Sequence, residues 1–124
     1  MTSLSKSTVS LDFDGVIHSY HSPWTTAEEI PDPPVVGAIN KIREYLDAGL
    51  QVEILSIRAK TVEGINAIRR YLEFYGLERR YSIELEISSH KSPAILYIDD
   101  RGYHFTGEFP SVEFIRSFKP WNRQ

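Results

Sequence analysis

The chain has 124 residues, with 14 Lys and Arg against 17 Asp and Glu, a formal charge of −3, 41% hydrophobic residues and no cysteine. That is enough for one compact domain, residues 1–124, and it excludes a disulfide framework, a thiolate zinc site, an iron–sulfur cluster and a cysteine nucleophile. A pI near 5.8 argues against non-specific adhesion to nucleic acid or an anionic membrane. No apolar run approaches the roughly 20 residues of a membrane span, and Met1 to Ser7 is short and polar, so a soluble cytoplasmic protein is expected.

Thr8 to Phe13 is a β-type run that stops at Asp14-Gly15, which predicts a buried strand ending in a tight turn. Residues 16–34 lose all periodicity and carry Pro23, Pro31, Pro33 and Pro34, the mark of a loop or flap. Val35, Ile39, Ile42 and Leu46 then share one face of a helix that Gly49 closes. Leu50 to Ser56 reads as the second strand. Thr61 caps a helix with Val62, Ile65, Ile68, Leu72 and Tyr75 on its apolar stripe, ended by Gly76. Tyr81 to Ile87 alternates strictly and predicts a strand with one wet face, while Ala94 to Ile98 is almost wholly apolar and runs into Asp99-Asp100-Arg101-Gly102. Tyr103 to Thr106 adds a short strand, and Ser111 caps a last helix with Val112, Ile115 and Phe118 inward, stopped by Pro120. Alternating strands and helices predict an α/β fold, a Rossmann-like three-layer α/β/α arrangement whose mostly parallel sheet is covered on both faces. Ligands of such sheets gather at the carboxyl ends of the strands.

Four carboxylates stand at two such ends: Asp12 and Asp14 on the first strand, Asp99 and Asp100 on the fourth. Like charges brought this close need a cation among them, and hard oxygen ligands favour Mg²⁺. Ser56 ends the second strand, Arg58 follows two residues later, and Lys91 lies in the loop feeding the Asp99 strand. A hydroxyl, a guanidinium and an ammonium are the donors that hold phosphate oxygens and neutralise transition-state charge. Together with the carboxylates they describe a phosphoryl-transfer site.

In this order the residues resemble the four motifs of the haloacid dehalogenase-like superfamily of phosphatases: the run into Asp12-Phe13-Asp14-Gly15-Val16, then Ile54-Leu55-Ser56, Lys91, and Tyr97-Ile98-Asp99-Asp100. The resemblance implies that Asp12 is the nucleophile forming an aspartyl-phosphate and Asp14 the general acid and base. It further implies that Ser56 and Lys91 hold the phosphoryl group. By the same resemblance Mg²⁺ is held by Asp12, the Asp14 carbonyl and Asp99 or Asp100, with Asp100 favoured. Ser56-Ile57-Arg58 and Asp99-Asp100-Arg101 are similar to elements of the phosphatase domain of polynucleotide kinase/3′-phosphatases, which implies substrate contact by Arg58 and Arg101 and a 3′-phosphorylated nucleic-acid end as substrate. Small stand-alone phage and bacterial phosphatases carry much the same ending. No phosphate-binding Gly-x-x-x-x-Gly-Lys loop accompanies it.

Neither the 15–55 nor the 57–90 interval has room for a cap domain, so an uncapped, open site is expected, with the 16–34 flap over it. Tyr20 and Trp24 on that flap either stack on a base or anchor the flap. Arg58 and Arg101 have a competing reading as ion-pair partners of the acidic cluster. His18, His21, His90 and His104 read as ordinary loop or strand histidines, and Trp121 as a pin for the tail. Phosphorylated metabolites or nucleotides form the alternative substrate class, and a phosphoacceptor signalling module the alternative function. Receivers, however, place the acidic pair first and the Lys last.

Overall fold

A computed structural model describes residues 7–91, 93–94, 96–99 and 103–118, with the backbone alone at Asp99, Tyr103 and His104. Asp100, Arg101 and Trp121 lie outside the described residues. The strands are β1 (Thr8–Asp12), β2 (Gln51–Leu55), β3 (Glu86–Ser88), β4 (Leu96–Asp99) and β5 (Tyr103–His104). They form one sheet in the order β3-β2-β1-β4-β5, and every pairing is parallel. The helices are α1 (Ala38–Asp47), α2 (Val62–Phe74), α3 (Arg79–Ser82) and α4 (Val112–Ser117), with a 3₁₀ turn over Ile57–Lys60. The chain is therefore α/β, and no helix among the described residues is long and apolar enough to cross a membrane.

Side chains alternate between the two faces of the sheet, and the faces differ in chemistry. Val9, Leu11, Val52, Ile54, Ile87, Leu96 and Ile98 are buried on one face and join Ile42, Tyr45, Ile68, Leu72 and Ile115 of the helices in a single core. On the other face Glu86, Glu53, Ser10 and Tyr97 follow one another across four strands. Ser10 Oγ donates to Glu53 Oε1 at 2.8 Å, while the buried Glu53 Oε2 has no hydrogen-bond partner among the described residues. Helices on both faces were expected. The crossover from β3 to β4 spans only residues 89–95 and shows no helix over its described residues.

Two further expectations are corrected. Tyr81–Ile87 is no continuous strand: Tyr81 and Ser82 close α3, and only Glu86–Ser88 is extended. Tyr81 and Leu85 are buried while Ile83 is 62% exposed, so the spacing that mimicked alternation is the i, i+4 face of a helical turn. In α2 the buried face is Gly64, Ala67, Ile68, Tyr71 and Leu72, and Val62 is exposed. The stripe is rotated because Gly64 lies against the 3₁₀ turn, where a Cβ would fall 1.7 Å from the Arg58 carbonyl oxygen. Thr61 caps α2 as predicted, its Oγ1 accepting from Gly64 N at 3.0 Å, and Ser111 caps α4 by accepting from Phe114 N.

Candidate active site

β1 is central, and the chain leaves it towards β2 on one side and, later, returns to β4 on the other. This is the switch in strand order at which parallel sheets open a crevice beyond their carboxyl ends. An open cleft of about 280 Å³ lies on the β2 side of that switch, at the carboxyl ends of β1, β2 and β3, lined by Asp12, Phe13, Asp14, Leu55, Ser56, Ile57 and Ser89. Three of the expected site residues thus share one cleft: Asp12 and Asp14 from the end of β1 and Ser56 from the end of β2. Leu11 pairs with Ile98, so one more step of the same register sets Asp12 beside Asp99 on β4.

Lys91 is exposed, with its Nζ 4.8 Å from the centroid of Tyr97, and Tyr97 neighbours Ser10 two residues before Asp12. The ammonium therefore sits on the face of the sheet that carries Asp12, not in the lining of the cleft. Asp99 is described by its backbone only, and the expectations for Asp100 and Arg101 fall outside the described residues. Among the described residues no three His, Asp or Glu side chains converge as a metal-ligand group.

The turn after β1 builds the site. Phe13 N donates to Leu55 O at 3.0 Å, and the Phe13 carbonyl then accepts from Ile17 N and His18 N at 2.9 and 2.8 Å. Gly15 makes this possible at φ +90, a conformation in which a side chain is strained. The chain comes back on itself, and His18, fully buried, places Nδ1 2.8 Å from Asp14 Oδ1. Asp32 N donates to Nε2 at 3.1 Å. A backbone N–H can only donate, so Nε2 is the acceptor and Nδ1 carries the proton that points at Asp14. His18 is thus no ordinary loop residue, a correction that follows from its place between Asp14 and Asp32. The clue in the sequence is its position four residues after Asp14, across a glycine turn.

Arg58 is expected either to contact substrate or to pair with the acidic cluster. It is 1% exposed, with its guanidinium engaged inside the protein. Nε bonds Asp14 Oδ1 and Oδ2 at 3.2 and 3.1 Å, and Nη1 donates to the carbonyls of Thr26, Ala27 and Glu29 at 2.9–3.0 Å. Trp24 covers the guanidinium, 4.3 Å from the ring centroid. The ion-pair reading holds, extended by a cage of flap carbonyls that the sequence could not disclose. Ser56 Oγ accepts from Arg58 N at 3.1 Å, capping the 3₁₀ turn from which Arg58 projects.

The flap is bound along its length. Ser19 N donates to Pro33 O at 3.0 Å and Val35 N to Ile17 O at 2.8 Å, closing its base. Ser22 donates to Asp32 through N and Oγ, both at 2.7 Å, and these bonds hold the Asp32 carboxyl below its ordinary range. Tyr71 OH donates to Asp32 O at 2.8 Å. Burial pushes that phenol far up, so it stays a donor.

No family model, curated protein or solved structure matches the chain.

Proposed function

We propose that the chain is a Mg²⁺-dependent phosphomonoesterase of the haloacid dehalogenase-like type, a Rossmann-like core without a cap domain, working through an aspartyl-phosphate on Asp12. The observation that carries this reading is the shared cleft of Asp12, Asp14 and Ser56 at the carboxyl ends of the adjacent parallel strands β1 and β2. Asp12 Oδ attacks phosphorus as the bond to the leaving oxygen breaks, and Asp14, entering this step with a proton on Oδ2, passes it to that oxygen and becomes the carboxylate paired with Arg58. In the second step Asp14 takes a proton from water, whose oxygen attacks phosphorus and frees Asp12 with release of phosphate. His18 and Arg58 fix the Asp14 carboxyl in the orientation both steps need. Oδ2 accepts from Arg58 alone among the described residues, which leaves it a further lone pair. Ser56 supplies a hydroxyl to a phosphoryl oxygen.

The donor set suits a hard cation in kind: the Asp12 carboxylate, the Asp14 carbonyl and a carboxylate of the Asp99-Asp100 pair would supply oxygen ligands. Bound Mg²⁺ offsets the charge of these carboxylates and of the phosphoryl oxygens. Hydrolysis of an aryl phosphate is expected to need Mg²⁺, to stop on chelation, and to be lost in Asp12→Asn with the fold intact. Full turnover by Asp12→Asn overturns the reading. An acyl phosphate on Asp12 that hydrolyses slowly favours the phosphoacceptor module instead.

A further inference from the structure

Each of the two groups that grip Asp14 is roofed by an aromatic ring of the flap that stands half in solvent. Trp24, 40% exposed, lies over Arg58, and Tyr20, also 40% exposed, packs 5.7 Å from the His18 ring. A roof uses one face of a ring, and leaving the other wet forgoes the burial that aromatic residues normally gain. Tyr20 also adopts φ 57, the left-handed region that bulky side chains avoid. The bonds from Ser19 to Pro33 and from Ser22 to Asp32 impose this conformation from both sides. Backbone strain held in place by its surroundings is characteristic of ligand clamps.

Trp24 is close enough to serve the cleft. Its ring centroid is 4.3 Å from Arg58 Cζ, and Arg58 Nε is 3.1 Å from Asp14 Oδ2. With one C–N bond between these links, the ring centre lies within about 9 Å of the carboxylate. That is comparable with the span from a nucleotide's phosphate to its base. The platform is also rigid, because Arg58 beneath it is fixed by Asp14 and three carbonyls, so little ordering is required when a ring stacks on it.

We propose that Trp24 is a specificity-determining residue, the platform on which a nucleobase stacks while the phosphate of the same substrate enters the cleft, with Tyr20 as the second wall. This rests on the phosphomonoesterase reading and narrows its substrates to base-bearing phosphate esters. A free nucleotide and a nucleic-acid end share that chemistry.

The test compares kcat/KM of the full chain with Mg²⁺ on a nucleoside 3′-monophosphate, a short 3′-phosphorylated oligonucleotide and ribose phosphate lacking a base. Trp24→Leu is expected to lower kcat/KM on the two base-bearing substrates about tenfold or more beyond whatever it loses on ribose phosphate. Trp24→Phe restores the difference. Equal losses on all three substrates overturn the proposal, because they show the ring acting only through Arg58. Preference for the oligonucleotide over the mononucleotide identifies a strand end as the source. A second readout does not depend on turnover. Trp121 is the only other tryptophan, so in Trp121→Phe the emission of Trp24 is expected to be quenched by the nucleotide and not by ribose phosphate. Absence of quenching overturns the platform even in an active protein. Quenching in a protein that hydrolyses none of the substrates upholds the platform and refutes the phosphomonoesterase reading.

Discussion

Replacing Arg58 by Met keeps the apolar stem and removes the guanidinium, and the structure sets the cost. Five hydrogen-bond contacts vanish, two to Asp14 and three to flap carbonyls. Arg58 is 1% exposed and the Asp14 side chain 17%. Removing one partner of a buried ion pair costs about 3–5 kcal/mol, because the remaining charge is left without its counterpart. For a chain of 124 residues each kcal/mol lowers Tm by roughly 4 °C, so a fall of about 12–20 °C is expected. Circular dichroism melts measure the fall. Chymotrypsin cleavage at Tyr20 and Trp24 reports the local part, since a flap freed from the carbonyl cage is cut faster than in wild type under native conditions. Arg58→Lys retains charge but cannot reach Asp14 and three carbonyls at once, and is expected to recover less than half of the loss. A Tm within about 4 °C of wild type for Arg58→Met, with Trp24 still protected, refutes the assignment of Arg58 as the clamp of the flap.

Two other outcomes follow from neighbouring contacts. Gly64→Ala drives a Cβ to 1.7 Å from the Arg58 carbonyl oxygen, so the 3₁₀ turn or α2 must shift, at about 2 kcal/mol or more by chemical denaturation; a change below about 0.5 kcal/mol contradicts the close approach. Asp32 is held below its ordinary value of 3.8 by the Ser22 bonds. A carboxyl whose pKa is depressed by folding contributes stability that is full above its unfolded value and lost as pH falls through the folded one. The stability difference between wild type and Asp32→Asn is therefore expected to be level from pH 7 to about 5 and to shrink below about pH 4; a constant difference down to pH 2 removes the Ser22 contact as its cause.

The parts of the molecule that were legible beforehand are those fixed by local rules. Thr61 and Ser111 cap helices because a side-chain oxygen three residues from an orphan N–H has little choice, and Val9, Leu11, Val52 and Ile54 could only be buried strand. The gathering of Asp12, Asp14 and Ser56 was legible too, since parallel order and strand ends place them together. Illegible were the residues whose role depends on the irregular flap. Nothing local tells that Arg58 ends among the carbonyls of Thr26, Ala27 and Glu29, or that Asp32 N–H returns to His18 across fourteen residues of chain. Tyr81 to Ile87 failed for another reason: over seven residues, a helical turn followed by a short strand yields the same apolar spacing as one strand.

The cage around Arg58 is made of main chain. Thr26, Ala27 and Glu29 hold it with carbonyl oxygens, and Thr25, Thr26, Glu28 and Glu29 turn their side chains to solvent. Thr25 Oγ1 donates to Glu29 Oε1, so variation at Thr26 and Glu28 leaves the peptide groups that lock the flap untouched, while it rewrites the outer surface of the flap. Loss of the flap's shape and change of its chemical character are thereby separate hereditary events. Descendants of this chain can change the flap's surface through the outward residues, with the Asp14–Arg58 geometry beneath passed on unaltered.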